Sequence, residues 1–519
     1  MQIVENKAIV FNTRNPDKYV IIPRHAIVGE NNGVYQVAVK WGLDEVRVLR
    51  NLGVSKAPSP ITGRYDWPGM HKPFNHQVET AEFLTLNRRS FVFNDPGTGK
   101  TLSALWAADY LMKIKQVRRC LILCPLSIMH DAWMNGIGKS IIHRSVIVAH
   151  HSQATRRIEM VQGDYEFVIV NYDGLNLIAD EVLANGKFDL VIVDEANAYK
   201  NPSTKRWKSL NKILQPHTHL WMMTGTPASQ SPVDAYGLAR LVNPSGVPKF
   251  ATAWRDKVMQ KLTQFKWVPK KGAAEAVFDA LQPAIRFTKE ECTDLPPVLT
   301  ETREIPLTPQ QQKYYKLLKE RMVMDAAGET ITAVNAAAGV SKLLQISAGA
   351  AYTDDHEVVE FDCAPRLNVL LEVLEETSRK VIVFAPFRHS IETIHNHLLK
   401  NNVASEVIHG DVSVSKRTDI FKRFQTLPDP RILVVQPQSA SHGVTLTAAD
   451  TVIFYGPVMS VETYLQCIAR ADRIGQTSTN VTVIHLQGSE IEKRMFAQLE
   501  KRVRGHDILL SLYNEEINQ

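Results

Sequence analysis

The chain has 519 residues, 44% of them hydrophobic and 22% charged, which excludes a small disulfide scaffold, a disordered chain and a fibrous repeat and leaves room for about three domains. Lys and Arg number 60 against 54 Asp and Glu, and the net charge of +6 permits a polyanionic partner without requiring one. The five cysteines, Cys120, Cys124, Cys292, Cys363 and Cys467, form no CxxC pair and are odd in number, so free thiols in a reducing compartment are expected and a structural zinc module is not.

At the amino terminus, MQIVENKAIVFNTRN shows no basic-then-apolar leader, and no window approaches about 18 uninterrupted apolar residues, so a soluble intracellular protein without a membrane partner is expected. The alternating segments Tyr35 to Trp41 and Glu45 to Leu52 read as short strands, and the stretch APSPITGRYDWPG after them reads as a linker. Residues 1–70 are therefore expected to form a small β-rich accessory module. Its nine Lys and Arg against six Asp and Glu suit a DNA-structure reader, a docking surface for a protein partner or an inhibitory cover, and do not choose between them.

From Asn75 onward, the apolar runs SFVF, RCLILCP, EFVIVNY, DLVIVDE and HLWMMTG alternate with helical patterns. Runs apolar throughout suit strands buried on both faces, which predicts a parallel sheet with helices on either side over residues 71–297. From about 246 the pattern turns mostly helical, and a helical insertion and linker is expected to about 360. Strand-helix alternation resumes with RKVIVFAPF, SEVIHG, RILVVQP, TVIFYG and NVTVIHL, so residues 298–519 contain a second parallel α/β domain and end in a helix.

The segment SFVFNDPGTGKTLSALWAADYL places a buried strand, a Gly-rich loop and a helix in the order a phosphate-binding loop requires. Within Pro96, Gly97, Thr98, Gly99, Lys100 and Thr101, the glycines let backbone amides curl around phosphate oxygens. Lys100 reaches the β and γ phosphates, and the Thr101 hydroxyl can ligate Mg²⁺. Asn94 stands where the longer form of the pattern has glycine. Asp194 and Glu195 end the strand DLVIVDE, where ligands collect in open α/β sheets. Alone such a pair is a solvated strand end; with a phosphate loop upstream it becomes the other half of an NTPase site. Asp194 then holds Mg²⁺ and Glu195 activates the attacking water.

The order of DPGTGKT, LILCPLSIMHDAW, VIVNYDGL, VDEAN, TGTPASQSPVDAYGLARLVNP and QCIARADRIGQ resembles that of superfamily-two helicases, and the chain most resembles the Swi/Snf-type DNA-dependent ATPases. RFTKEECTDLPPVLTETREIPLTPQQQKYY and SHGVTLTAADTVIFYG add to that resemblance, which covers about Asn75 to Leu486. It implies two RecA-like lobes, ATP and Mg²⁺ as cofactors, and DNA, double-stranded or branched, as partner. By the same resemblance Gln77 reads adenine, and Thr224 and Thr226 couple nucleotide state to the DNA track. Gln466, Arg470 and Arg473 share one helical face, the arginines acting as fingers on the γ phosphate. Hydrolysis would then require the lobes to close on ATP and open on release. Asn197 replaces the family's usual His after the acidic pair, and Pro457, Val458 and Met459 replace a Trp-Asn-Pro run.

The resemblance also implies a nucleic-acid track through Pro125, Ser127 and Trp133 in the first lobe and Phe387, Arg388, Gly410, Ser439 and Gly443 in the second, Gly443 also lying at the nucleotide. For Trp133, core packing stands level with a nucleic-acid contact. Lys266, Lys270 and Lys271 read as a solvated loop, and adjacent His150 and His151 point to opposite faces of a strand, unsuited to one metal. The leading expectation is a monomeric duplex-DNA translocase of a bacterium or virus, in bacterial or infected-host cytoplasm. A strand-separating helicase and a nucleotide-gated DNA-binding protein without turnover are the alternatives.

Overall fold

The computed structural model describes residues 1–503 apart from 226, 228–230, 264–266, 293–295, 329–332, 353–357, 378, 441–443, 474 and 502. The chain divides into two compact units, one over Met1–Cys292 and the other over the described residues that follow.

The first unit opens with an antiparallel sheet of β1 Gln2–Val4, β2 Ala8–Thr13, β3 His25–Asn31 and β4 Val34–Lys40, in the order β1-β2-β4-β3. The run from Tyr35 is β4, but Glu45 to Leu52, expected as a strand, lies in helix α1 (Leu43–Asn51). Leu43, Val46 and Leu49 are its buried apolar positions, a helical stripe. Asp44 and Glu45 occupy the first turn, where unpaired backbone N–H groups favour negative charge. The alternation that suggested a strand leaves Val48 only half-buried.

The stretch expected as a linker is part of the packed body. Ala57, Ser59 and Ile61 are fully buried, Ile61 opening the short helix α2 (Ile61–Arg64). Trp41 Nε1 donates to Pro58 O (2.7 Å), Tyr65 Oη to Asp109 Oδ2 (2.6 Å) and Trp106 Nε1 to Pro68 O (3.0 Å). One hydrophobic cluster runs from Ile9 and Val39 through Trp41 and Trp106 to Met223. Proline and glycine marked the irregular backbone but carry no information about burial.

The chain continues through β5 Arg89–Val92, β6 Cys120–Cys124, β7 Val146–Val148, β8 Phe167–Asn171, β9 Leu190–Asp194, β10 His219–Met223, a hairpin of β11 Met259–Lys261 and β12 Trp267–Pro269, and β13 Ala284–Ile285. Without the hairpin these form a seven-stranded parallel sheet ordered β13-β5-β10-β9-β6-β8-β7. All residues of β6, β9 and β10 are buried, as strands covered on both faces must be. β13 lies in the region expected to be a helical insertion and instead edges the sheet beside β5.

The second unit contains β14 Val298–Glu304, a hairpin of β15 Ala350–Tyr352 and β16 Val358–Glu360, then β17 Lys380–Phe384, β18 Ser405–Ile408, β19 Ile432–Val435, β20 Ala449–Phe454 and β21 Val481–Gln487. Its parallel sheet runs β14-β21-β20-β17-β19-β18, and alternate residues of β17 enter opposite cores, Ile382 and Phe384 on one side, Val381 and Val383 on the other. β14 also lies in the stretch expected to be helical. As an edge strand it has no residue buried, so no apolar run announced it; Val298, Thr300 and Thr302 supply its β-branched preference. Helices Pro309–Gly328 and Ala333–Ala348 are the long helices of that stretch, which also holds the hairpins β11–β12 and β15–β16, and residues 490–501 are helical. No described helix is long and apolar enough to cross a membrane.

Candidate nucleotide site

Helix α3 (Asn75–Leu86), β5, a loop and helix α4 (Lys100–Lys113) build the phosphate loop. Gly97 and Gly99 have φ of +93° and +85°, where a Cβ is disfavoured. A Cβ on Gly99 would also stand 2.1 Å from Gln77 Nε2. Lys100 Nζ donates to Asn94 O (2.7 Å) and Asp95 O (3.2 Å), and Asp95 O also accepts from Thr98 N (3.3 Å) and Thr98 Oγ1 (2.8 Å). Thr101 lies half-buried in the first turn of α4. Gln77, which the resemblance assigns to adenine, is buried beneath this loop, its Nε2 donating to Thr98 O (3.2 Å) and its Oε1 accepting from Phe74 N (3.1 Å).

Asn94 is buried: its Nδ2 donates to Thr80 Oγ1 (2.8 Å) and its Oδ1 accepts from Phe287 N (3.1 Å). The side chain that replaces glycine thus ties α3 and the segment after β13 to the loop. Asp95 adds to this tie, its Oδ2 accepting from Lys289 N (3.1 Å) and its Oδ1 lying 3.6 Å from Arg286 Nη2. The spacing of sequence motifs held no signal for this contact, because Arg286 and Lys289 reach the loop through β13, too short to show as an apolar run.

β10 lies between the strands that carry the two halves of the site, β5 with the phosphate loop and β9 with the acidic pair. Its end approaches the loop, since a Cβ on Gly225 would come 2.7 Å from Pro96 Cδ. Asp194 is buried, Oδ1 accepting from Glu195 N (3.0 Å) and Oδ2 from Trp133 Nε1 (3.0 Å). Burial raises the pKa of its carboxyl, and the positive charge of Lys100 opposes that rise. Glu195 takes a left-handed backbone with φ of +48°, a strained conformation for a non-glycine residue. Tyr172 Oη donates to Asp194 O (2.5 Å), and burial pushes its phenol pKa well up, so it stays a donor. Sequence reasoning missed Tyr172, although its place just past the carboxyl end of β8 could have marked it.

In the second unit, helix Val461–Ile468 carries buried Gln466 but ends before the arginines, so the expected single helical face is not a continuous helix. The last turn tightens, with Arg470 N donating to Cys467 O (3.2 Å) and Arg473 N to Ala471 O (3.1 Å). The guanidinium groups still converge, Arg470 Nη1 (3.1 Å) and Arg473 Nη1 (3.4 Å) both donating to Val444 O. Burial lowers the Arg473 pKa.

Two residues expected along the nucleic-acid track are buried. Trp133 is fully buried with its N–H on Asp194, and Thr224 is fully buried with its N–H on Val92 O (3.0 Å); neither presents a surface. Pro125 is buried as well. Phe387 and Ser439 are half-buried; Gly410 and Arg388 are exposed, with Arg388 paired to Glu392 and Asp411. Thr226, Gly443, Lys266 and the Ser127 side chain lie outside the described residues. Lys270 and Lys271 are exposed, and among the described residues no group of three metal-ligating side chains forms around His150 and His151 or elsewhere. A cavity of about 690 Å³ opens at the opposite end of the first sheet, against Arg119, Glu166 and Asp189 ahead of β6, β8 and β9, away from this site.

Two parallel sheets, the first with a glycine-rich loop ahead of a lysine-led helix and an acidic pair at the end of a buried strand, define a helicase-like fold. A family model of the SNF2-related domain matches residues 38–349, one of the helicase conserved C-terminal domain matches 365–475, and the chain belongs to the SNF2-related family. It is similar to Protein CHROMATIN REMODELING 4 of Arabidopsis thaliana, 22% identical over 83% of this chain and 21% of that protein. It is also similar to "Uncharacterized ATP-dependent helicase MG018" of Mycoplasma genitalium (23%; 78% of this chain, 38% of that protein) and to "Putative protein p41" of Acyrthosiphon pisum secondary endosymbiont phage 1 (23%; 78% and 88%). The chain thus spans well under half of the first two relatives. Among solved structures, the Sulfolobus solfataricus SWI2/SNF2 ATPase core in complex with dsDNA matches with TM-score 0.42 and 22% identity over 86% of this chain and 94% of that one.

Proposed function

We propose that the chain is an ATP-driven translocase on double-stranded or branched DNA that remodels protein-DNA complexes or anneals and branch-migrates strands. The observation that carries this reading is the buried Asp194 carboxylate, under the field of Lys100 and beside a left-handed Glu195, in a sheet whose intervening strand ends against the phosphate loop. Such a centre suits phosphoryl transfer, where positioning and electrostatics do most of the work.

Lys100 would exchange its loop carbonyls for phosphate oxygens, and the amides after Gly97 would cradle the phosphates. Asp194 and Thr101 form an all-oxygen donor pair; the two N–H bonds on Asp194 leave lone pairs on both carboxylate oxygens, so the pair fits Mg²⁺. The ion supplies charge that neutralises phosphate oxygens. Glu195 would orient a water and take its proton. Arg470 and Arg473, with Gln466 and Gly443, would act on the γ phosphate, and hydrolysis would drive movement along DNA gripped through Phe387, Arg388, Gly410 and Ser439. Relatives named for chromatin remodelling and for ATP-dependent helicase activity support the motor class. The first seventy residues would serve as a DNA-structure reader, a docking surface for a protein partner or an inhibitory cover, and the working form would be a monomer in bacterial or infected-host cytoplasm.

ATP hydrolysis measured with and without duplex DNA tests the reading. DNA-stimulated turnover abolished by Lys100→Ala is expected, as is an Arg470→Ala protein that binds nucleotide but turns over about 10³-fold more slowly. Displacement of a triplex without unwinding of a forked duplex is the signature of a translocase; single strands from the fork would make it a helicase, and no turnover in any condition would refute the motor.

A further inference from the structure

We infer that Trp133 is a positioning residue for the metal-binding carboxylate: its indole N–H fixes the orientation of Asp194 and so sets how tightly nucleotide-bound Mg²⁺ is held. The inference deepens the ATP-site reading and rests on it. Indole nitrogen is a donor only, so a buried tryptophan needs an acceptor. Trp41, Trp106, Trp207, Trp221 and Trp254 find theirs in backbone carbonyls. Among the described residues, Trp133 differs in donating to a carboxylate, 61 positions along the chain.

The two donors to Asp194 divide its oxygens. Glu195 N takes Oδ1 and Trp133 Nε1 takes Oδ2, each at 3.0 Å, so turning the carboxylate plane breaks one bond or the other. Trp133 itself is held by an unusual backbone, a 3₁₀ turn at Leu126–Ile128 running into the π-helical segment Met129–Met134. π-helical turns are rare and recur at functional sites. This winding brings a core side chain to the end of β9, where a hydrocarbon of similar size would fill the space without reaching the acid. Outer partners of metal ligands typically change metal affinity or activity by about 10–100-fold when removed.

The test is the affinity for a fluorescent ADP analogue in Mg²⁺ and in EDTA, for the unsubstituted full chain and for Trp133→Phe. The ratio of the two affinities is expected to fall about 10–100-fold in the variant, with the EDTA value unchanged. An unchanged ratio overturns the inference, as does an equal loss in both conditions, which would make Trp133 a packing residue only. No Mg²⁺ effect in the unsubstituted protein overturns the site reading and the inference together. Should Trp133→Phe fail to fold, indole ¹⁵N–H spectra of the unsubstituted chain, with its eight tryptophans, decide. One signal should move when Mg²⁺ is added to the ADP-bound protein and stay still in Asp194→Asn; if no indole signal separates the two states, the inference fails.

Discussion

Asp95 joins the phosphate loop to the chain leaving the first unit, and Asp95→Asn isolates that joint. Its carboxylate is 24% exposed and lies 3.6 Å from the guanidinium of Arg286, itself 5% exposed. At an effective dielectric of about 20 the gross attraction at that distance is about 4–5 kcal/mol. Desolvation of both groups offsets part of it, and asparagine keeps an acceptor for Lys289 N, so the expected net loss is about 2 kcal/mol. In a unit of this size that lowers the first melting transition by about 3 °C. Because the Asp95 carbonyl also takes Lys100 Nζ and both donors of Thr98, the loop loosens, and KM for ATP is expected to rise by more than kcat falls. Calorimetry with a steady-state ATPase assay measures both. A variant that melts with the unsubstituted protein and keeps its KM would show that the carboxylate holds nothing in place.

Further outcomes follow from the same contacts. Gly99→Ala places a Cβ at positive φ, costing about 1–2 kcal/mol, and against Gln77 Nε2; nucleotide binding by calorimetry should be lost while circular dichroism stays native. Glu492→Gln breaks the buried two-bond pair with Arg366 (2.7 and 2.8 Å) and should destabilise the second unit by about 3–5 kcal/mol in urea unfolding. Burial lowers the His485 pKa to about 4; the ring bonds Tyr464 Oη (2.9 Å), stacks on Phe496 and lies 3.9 Å from Glu500. The unfolded chain therefore binds the extra proton first, and stability should fall by about 3 kcal/mol as pH drops from about 6.5 to about 4, a slope His485→Gln removes.

The parallel sheets were legible because strands buried on both faces are apolar throughout, as β6, β9 and β10 are. The phosphate loop was legible because only glycine accepts φ of +93° and +85° ahead of a lysine-led helix. Elements without an apolar run escaped: β13, two residues long; β14, an exposed edge; and α1, whose valines at 46 and 48 imitated alternation. At the site, residue types announced Lys100, Asp194 and Glu195, but nothing in the spacing joined Asp95 to Arg286 or Trp133 to Asp194.

Sequence alone determined the class of chemistry and the two-sheet plan, since both rest on local patterns: glycine before lysine, acid after a buried strand, apolar runs at regular intervals. Tertiary structure decided which side chains serve that chemistry from a distance. It buried Trp133 and Thr224, brought the first of them to the Asp194 carboxylate, and gathered Arg470 and Arg473 on the Val444 carbonyl after their helix had ended. The reason is that a hydrogen bond is set by distance and direction in space, and residues 61 positions apart along the chain meet only once the sheet has placed them side by side.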